Sequence, residues 1–214
     1  FSSIILIMNG SFIEAGFFIL LAGLMDIFDG KIARLLGISS KFGVEFDSLA
    51  DVVSFCVAPS ILVYNLYCNE LNSIIGAIFS FIPLIAGTVR LAKYNLESDE
   101  DSPKSYFVGL STPISTVTIL AFMYFSNQFG GLDYYGDPRL GLALVCILGL
   151  LMLSPIHFPK VPLITFKSGS SNSILLLILI ACTVSLFIWR GIALLPICLG
   201  YIIMNTLVWI FKTK

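Results

Sequence analysis

Residues 26–51 read DIFDGKIARLLGISSKFGVEFDSLAD, a run that sets four aspartates, Asp26, Asp29, Asp47 and Asp51, in or beside strongly apolar sequence. The intervals between them are three, eighteen and four residues. Residues three or four apart lie on one helix face, so Asp26 pairs with Asp29 and Asp47 pairs with Asp51. Gly30, Ala33, Arg34 and Gly43 lie between the two pairs. Ionisable residues within membrane spans face a protein or water-filled interior and mark function. What the four carboxylates hold depends on the chain around them.

That chain is built for lipid. Of its 214 residues, 57% are hydrophobic and 12% charged, and the mean hydropathy is +0.98. A soluble domain carries about 25% charged residues. The composition predicts an integral membrane protein, all-α, a polytopic helix bundle forming one domain over residues 1–214. Crossing a membrane takes roughly 20 apolar residues as a helix. About eight spans are expected, near 1–8, 12–36, 43–67, 73–96, 109–127, 139–154, 173–189 and 191–211. Clusters of Gly, Pro, Ser and Asn separate them, at Asn9-Gly10, 37–40, 69–72, 130–138 and 168–173. Phe1 stands inside an apolar run with no positively charged leader before it, so the first span is expected to be a remnant of a longer one. The five cysteines are scattered singly and read as small buried hydrophobes. No basic cluster suggests nucleic acid.

Basic residues orient the bundle. With alternate loops assigned to the two sides, one side collects Lys31, Arg34, Lys41, Arg90, Lys93, Lys104, Lys160, Lys167, Lys212 and Lys214, and the other only Arg139 and Arg190. The first side is expected to be cytoplasmic, and the aspartates lie at it. The localisation expected is a prokaryotic cytoplasmic membrane with the site facing the cytoplasm.

A short turn between the second and third spans would bring both aspartate pairs together. Carboxylates that close cannot all stay ionised unless cations neutralise them. Oxygen donors without His or Cys point to hard divalent cations, and two such ions would suit a displacement at phosphorus. Gly30, Ala33 and Gly43 leave room for a nucleotide, or for close helix packing.

The complete pattern is DxxDGxxAR, eight residues, then GxxxDxxxD. It resembles the signature of the CDP-alcohol phosphatidyltransferase family, with every position filled. The resemblance implies transfer of a phosphatidyl group from a CDP-activated lipid to an alcohol, with release of CMP. It implies that Asp26, Asp29, Asp47 and Asp51 hold two divalent cations, Mg²⁺ or Mn²⁺. It makes Asp51 the general base, and it assigns Gly30, Ala33, Arg34 and Gly43 to the nucleotide. A homodimer is a further family expectation.

Sequence outside the signature narrows the acceptor. Residues 47–59 read DSLADVVSFCVAP, 90–95 RLAKYN, 107–113 FVGLSTP and 151–160 LMLSPIHFPK. These are similar to runs in the family's integral-membrane phosphatidylserine synthases, with Cys56 standing for a usual Gly and Ser111 for a usual Pro. The substrates implied are CDP-diacylglycerol and L-serine. Arg90 and Lys93 are candidates for binding the lipid phosphate or the serine carboxylate, and Ser48 and Ser54 for hydrogen-bonding phosphate or substrate. His157 reads as loop structure or a head-group contact, and Glu97 to Asp101 as a solvated loop face. Another acceptor (glycerol phosphate or inositol phosphate) and an archaeal CDP-lipid donor stay open. An ion-coupled transporter would also explain aspartates in spans, but not the Gly-Ala-Arg-Gly pattern between them.

Overall fold

The computed structural model describes residues 1–36, 41–69, 71–98, 106–131, 134–159 and 191–212. Helix α1 (Ser2–Met8) reverses at Asn9 and Gly10, whose φ of 79° favours glycine, and returns as the long α2 (Phe12–Leu36). Helix α3 (Lys41–Val52) passes through a π-helical turn (Val53–Val57) into α4 (Ala58–Tyr67). Then come α5 (Ser73–Ser80) and α6 (Ile82–Ser98), separated by a break at Phe81 just before Pro83. Strand β1 (Tyr106–Val108), α7 (Thr112–Gly130), α8 (Pro138–Leu153), β2 (His157–Pro159) and α9 (Leu194–Lys212) complete the described chain.

Helices dominate, as the composition requires. Glu45–Tyr67, Ser73–Leu96 and Leu194–Phe211 are each long and apolar enough to cross a membrane, and Pro138–Leu153 is a shorter apolar helix. Large apolar side chains cover their outer faces, including Ile74, Ile78 and Ile85 on α5 and α6, and Ile203, Leu207 and Phe211 on α9. An apolar surface of that extent suits lipid rather than water, so this is a membrane protein. The span expected at 173–189 lies outside the described residues, as does the turn at 37–40.

Three details depart from the expected spans. The 43–67 rod is not uniformly α-helical: its π turn lets the Ala58 N–H donate to the Val53 carbonyl, five residues back. Pro59 accounts for part of this, because it has no N–H for the Phe55 carbonyl four residues earlier. The Thr116 hydroxyl of α7 donates to that carbonyl instead, at 2.8 Å. Next, helix α7 begins at Thr112 rather than 109. Gly109 has a φ of 75°, and a side chain there would strike the Met152 carbonyl oxygen. Finally, β1 pairs antiparallel with β2, Phe107 opposite Phe158, a small ribbon in a chain expected to be all-α.

Two cores fix the helices. Tyr67, Ala86, Leu110, Ile119, Val145, Leu148 and Phe158 join α4, α6, α7, α8 and the β-ribbon. Ile7, Ala15, Ile19, Leu62, Leu120 and Met123 seat α1 and α2 on α4 and α7. Cys56, Cys68 and Cys198 are buried, as expected of small hydrophobes, and Cys146 is half-buried. Cys182 is outside the described residues.

Candidate active site

The four aspartates come from two elements. Asp26 and Asp29 lie toward the end of α2, and Asp47 and Asp51 on α3, with Asp51 one residue short of its end. The fold brings them together as the spacing predicts. The Asp26 carboxyl is in hydrogen-bonding contact with Asp47 and feels the charge of Asp29, and Asp51 feels the charges of Asp26 and Asp47. Asp26 and Asp51 are half-buried, whereas Asp29 and Asp47 are exposed. One edge of the cluster therefore faces solvent and the other faces protein.

On the protein side stands Arg90 of α6, which is only 7% exposed. Its Nη1 donates to Thr112 Oγ1 at 3.4 Å. Its guanidinium lies 5.5 Å from the ring centres of both Tyr94 and Phe107, within cation–π range. Arg90 and Asp51 are near enough for each charge to act on the other. A buried cation demands partners, and here it has a hydroxyl, two aromatic faces and a carboxylate. The β-ribbon supplies Phe107, held in place by the Gly109 N–H donating to Ile156 O at 2.8 Å and the Leu110 N–H to Leu151 O at 3.0 Å.

The remaining candidates divide. Ser48 accepts a hydrogen bond from Asn95 Nδ2 at 3.0 Å, tying α3 to α6 beside the cluster. Ser54, in the π turn, lines a cavity with Ser2, Ile4, Phe18, Met25 and Val53. Lys93 is exposed on α6, one turn beyond the buried Arg90. Gly43 is exposed on α3, and the side-chain surroundings of Gly30, Ala33 and Arg34 lie outside the described set. His157 is exposed in β2, its ring 4.1 Å from that of Tyr106.

Cys56 lies close enough to Asp51 for their charges to interact, but its thiol is buried and aimed at α6. Sequence reasoning also passed over Thr112, Tyr94 and Phe107. All three lie in or beside runs it quoted, yet nothing in one sequence says which side chain a buried arginine meets.

The donor set is suited to a hard divalent cation, because the converging groups are carboxylates. Among the described residues, no three His, Cys, Asp or Glu side chains are drawn together tightly enough to ligate a single ion as they stand. The carboxylates converge without forming a finished cage.

A model of the CDP-alcohol phosphatidyltransferase family matches residues 1–189, and the chain belongs to that family. Among similar proteins is a CDP-diacylglycerol–serine O-phosphatidyltransferase of Helicobacter pylori strain J99, 35% identical over 94% of this chain and 81% of the relative. Another of that name, from Bacillus subtilis strain 168, is 36% identical over 68% of this chain and 75% of its own. An archaetidylserine synthase of Methanothermobacter thermautotrophicus is 32% identical over 74% of this chain and 64% of its own.

Proposed function

We propose that this protein transfers the phosphatidyl group of CDP-diacylglycerol to L-serine, forming phosphatidylserine and releasing CMP. One observation carries the reading: the family's aspartates converge beside a buried arginine, so an acidic and a basic subsite adjoin at one point. The names of the relatives favour serine as the acceptor, since the bacterial proteins and the archaeal one share serine while their lipids differ. That comparison leaves the archaeal CDP-lipid as the second reading of the donor.

In this reading Asp26, Asp29, Asp47 and Asp51 hold two divalent cations, Mg²⁺ or Mn²⁺. When bound, such ions neutralise phosphoryl oxygens and the departing CMP. The chain's own groups do the rest. Asp51 takes the serine hydroxyl proton as the new oxygen–phosphorus bond forms and the bond to CMP breaks. Arg90 holds an anionic group, the serine carboxylate or the lipid phosphate, within reach of Asp51. Gly30, Ala33, Arg34 and Gly43 receive the nucleotide, and Ser48, Ser54 and Lys93 border the substrate. The mainly apolar cavity lined by Phe18, Met25 and Ser54 suits the lipid chains. The site faces the cytoplasm, the side on which the basic residues of the sequence gather, and the protein works as a homodimer.

The test is CMP release by the detergent-purified protein given CDP-diacylglycerol, L-serine and Mg²⁺ or Mn²⁺. Release that requires serine is expected. Release with glycerol phosphate or inositol phosphate instead would move the acceptor, and no release with any alcohol would overturn the enzyme reading.

A further inference from the structure

Gly87 lies one helical turn before Arg90 on α6. A Cβ built on Gly87 would stand 2.4 Å from Cys56 Sγ and 3.2 Å from Thr112 Cγ2. Cys56 and Thr112 are both fully buried, at 0% exposure, so neither has open space to retreat into. The backbone of Gly87 is ordinary helix, without a positive φ. Helix propensity would therefore favour Ala here, and only the space between helices forbids it. Thr112 also carries the hydroxyl that accepts the Arg90 hydrogen bond. A tight contact of α6 with the π turn thus coincides with the anchoring of Arg90.

We infer that Gly87 is a positioning residue for the reaction: its missing side chain lets α6 seat against Cys56 and Thr112, and this seating sets the Arg90 guanidinium beside Asp51. The inference rests on the transferase reading above. It has a compensating partner. With the Cys56 thiol removed, the nearest atom of that residue would be its Cβ, 3.5 Å from a Cβ at Gly87, an ordinary contact. The Thr112 methyl then needs to yield only a few tenths of an ångström.

The experiment is a set of variants in the full-length protein, read by serine-dependent CMP release and by thermal unfolding in detergent. Gly87→Ala is expected to lower kcat/KM by about tenfold or more, because it pushes Arg90 off its anchor. Cys56→Ala alone retains activity, and Cys56→Ala with Gly87→Ala regains at least half of the wild-type rate. In an Arg90→Ala background, Gly87→Ala adds no further loss, since its effect passes through Arg90. A general packing defect would instead add in full. Unimpaired Gly87→Ala activity, failure of Cys56→Ala to rescue a folded double variant, or simple additivity with Arg90→Ala would each overturn the inference. If Gly87→Ala does not fold, the double variant decides. If wild-type protein releases no CMP with serine, the serine reading fails separately. The same non-additivity is then sought with whichever alcohol supports turnover, or in the unfolding midpoints.

Discussion

The two walls of the site are built differently. The α6–α7 wall is dry and interlocked: Cys56 meets Gly87, Thr112 meets Arg90, and Thr116 meets the Phe55 carbonyl. The α2–α3 wall is open, with Asp29, Gly43, Glu45 and Asp47 all exposed. A dry wall fixes a group once, during folding. In the reading proposed above, an open wall of carboxylates repels itself until cations arrive, and so gains its order from what it binds. Asp51 stands where the walls meet, half-buried and reached by the charges of Asp26, Asp47 and Arg90. Under the proposed function the two walls divide the labour: the open wall gathers ions and nucleotide while the dry wall aims the acceptor.

The junction should show the largest effect. Asp51→Asn keeps the shape and removes the proton acceptor, so turnover should fall by about 10³-fold, within the range for a general base. Binding of CDP-diacylglycerol, followed by equilibrium titration, should survive. Normal turnover would remove Asp51 from that role. On the open wall, Asp29→Asn should leave a folded protein that needs at least ~10-fold more Mg²⁺ or Mn²⁺ for half-maximal activity, the cost of one ligand carboxylate. Chelation should abolish wild-type activity, and either ion should restore it. If Asp29→Asn instead lowers the unfolding temperature at unchanged ion demand, the open wall is structural and the contrast fails.

The dry wall is probed next, with a smaller effect. Arg90→Lys keeps the charge but loses the planar fork that meets a hydroxyl and an anion together. The KM for serine should rise about tenfold, the loss of roughly one charged hydrogen bond, with the KM for the CDP-lipid unchanged. The reverse split would assign Arg90 to the lipid phosphate.

How much of this was legible in the sequence follows the same division. The placing of the aspartates on the open wall could be read, because all four lie in one run. Intervals of three and four place Asp26 with Asp29 and Asp47 with Asp51 on any helix, and the fold joins the pairs. The buried side of Arg90 was partly legible, since an arginine deep in an apolar run needs a reason. Its partners were not, for Thr112 and Phe107 arrive from α7 and β1 by tertiary packing that no local period encodes. The π turn had only an indirect signal in Pro59, which withholds an N–H without saying who replaces it. The β-ribbon had none: three-residue strands carry too little alternation to be recognised. Gly87 reads as an ordinary helical residue until the distance to Cys56 is known.

The smallest expected effect tests whether the dry wall is held by its interlocks. Pro59 leaves the Phe55 carbonyl without its usual donor, and Thr116 Oγ1 supplies one at 2.8 Å. Thr116→Val preserves shape and removes only the hydroxyl. A buried carbonyl that loses a donor costs about 1–3 kcal/mol, so the unfolding midpoint should fall measurably. Activity should fall by a small factor, because the π turn lies between Asp51 and the seat of Cys56 on α6. On the open wall, Ser48→Ala also removes a hydroxyl that spans two helices, in its bond from Asn95 at 3.0 Å. That bond is only part-buried, so water can replace it, and the midpoint should move less than for Thr116→Val. Comparable losses from the two substitutions would mean that both walls are equally pre-formed. A loss confined to Thr116→Val would show that order at this site is built into one side and brought by ligands to the other.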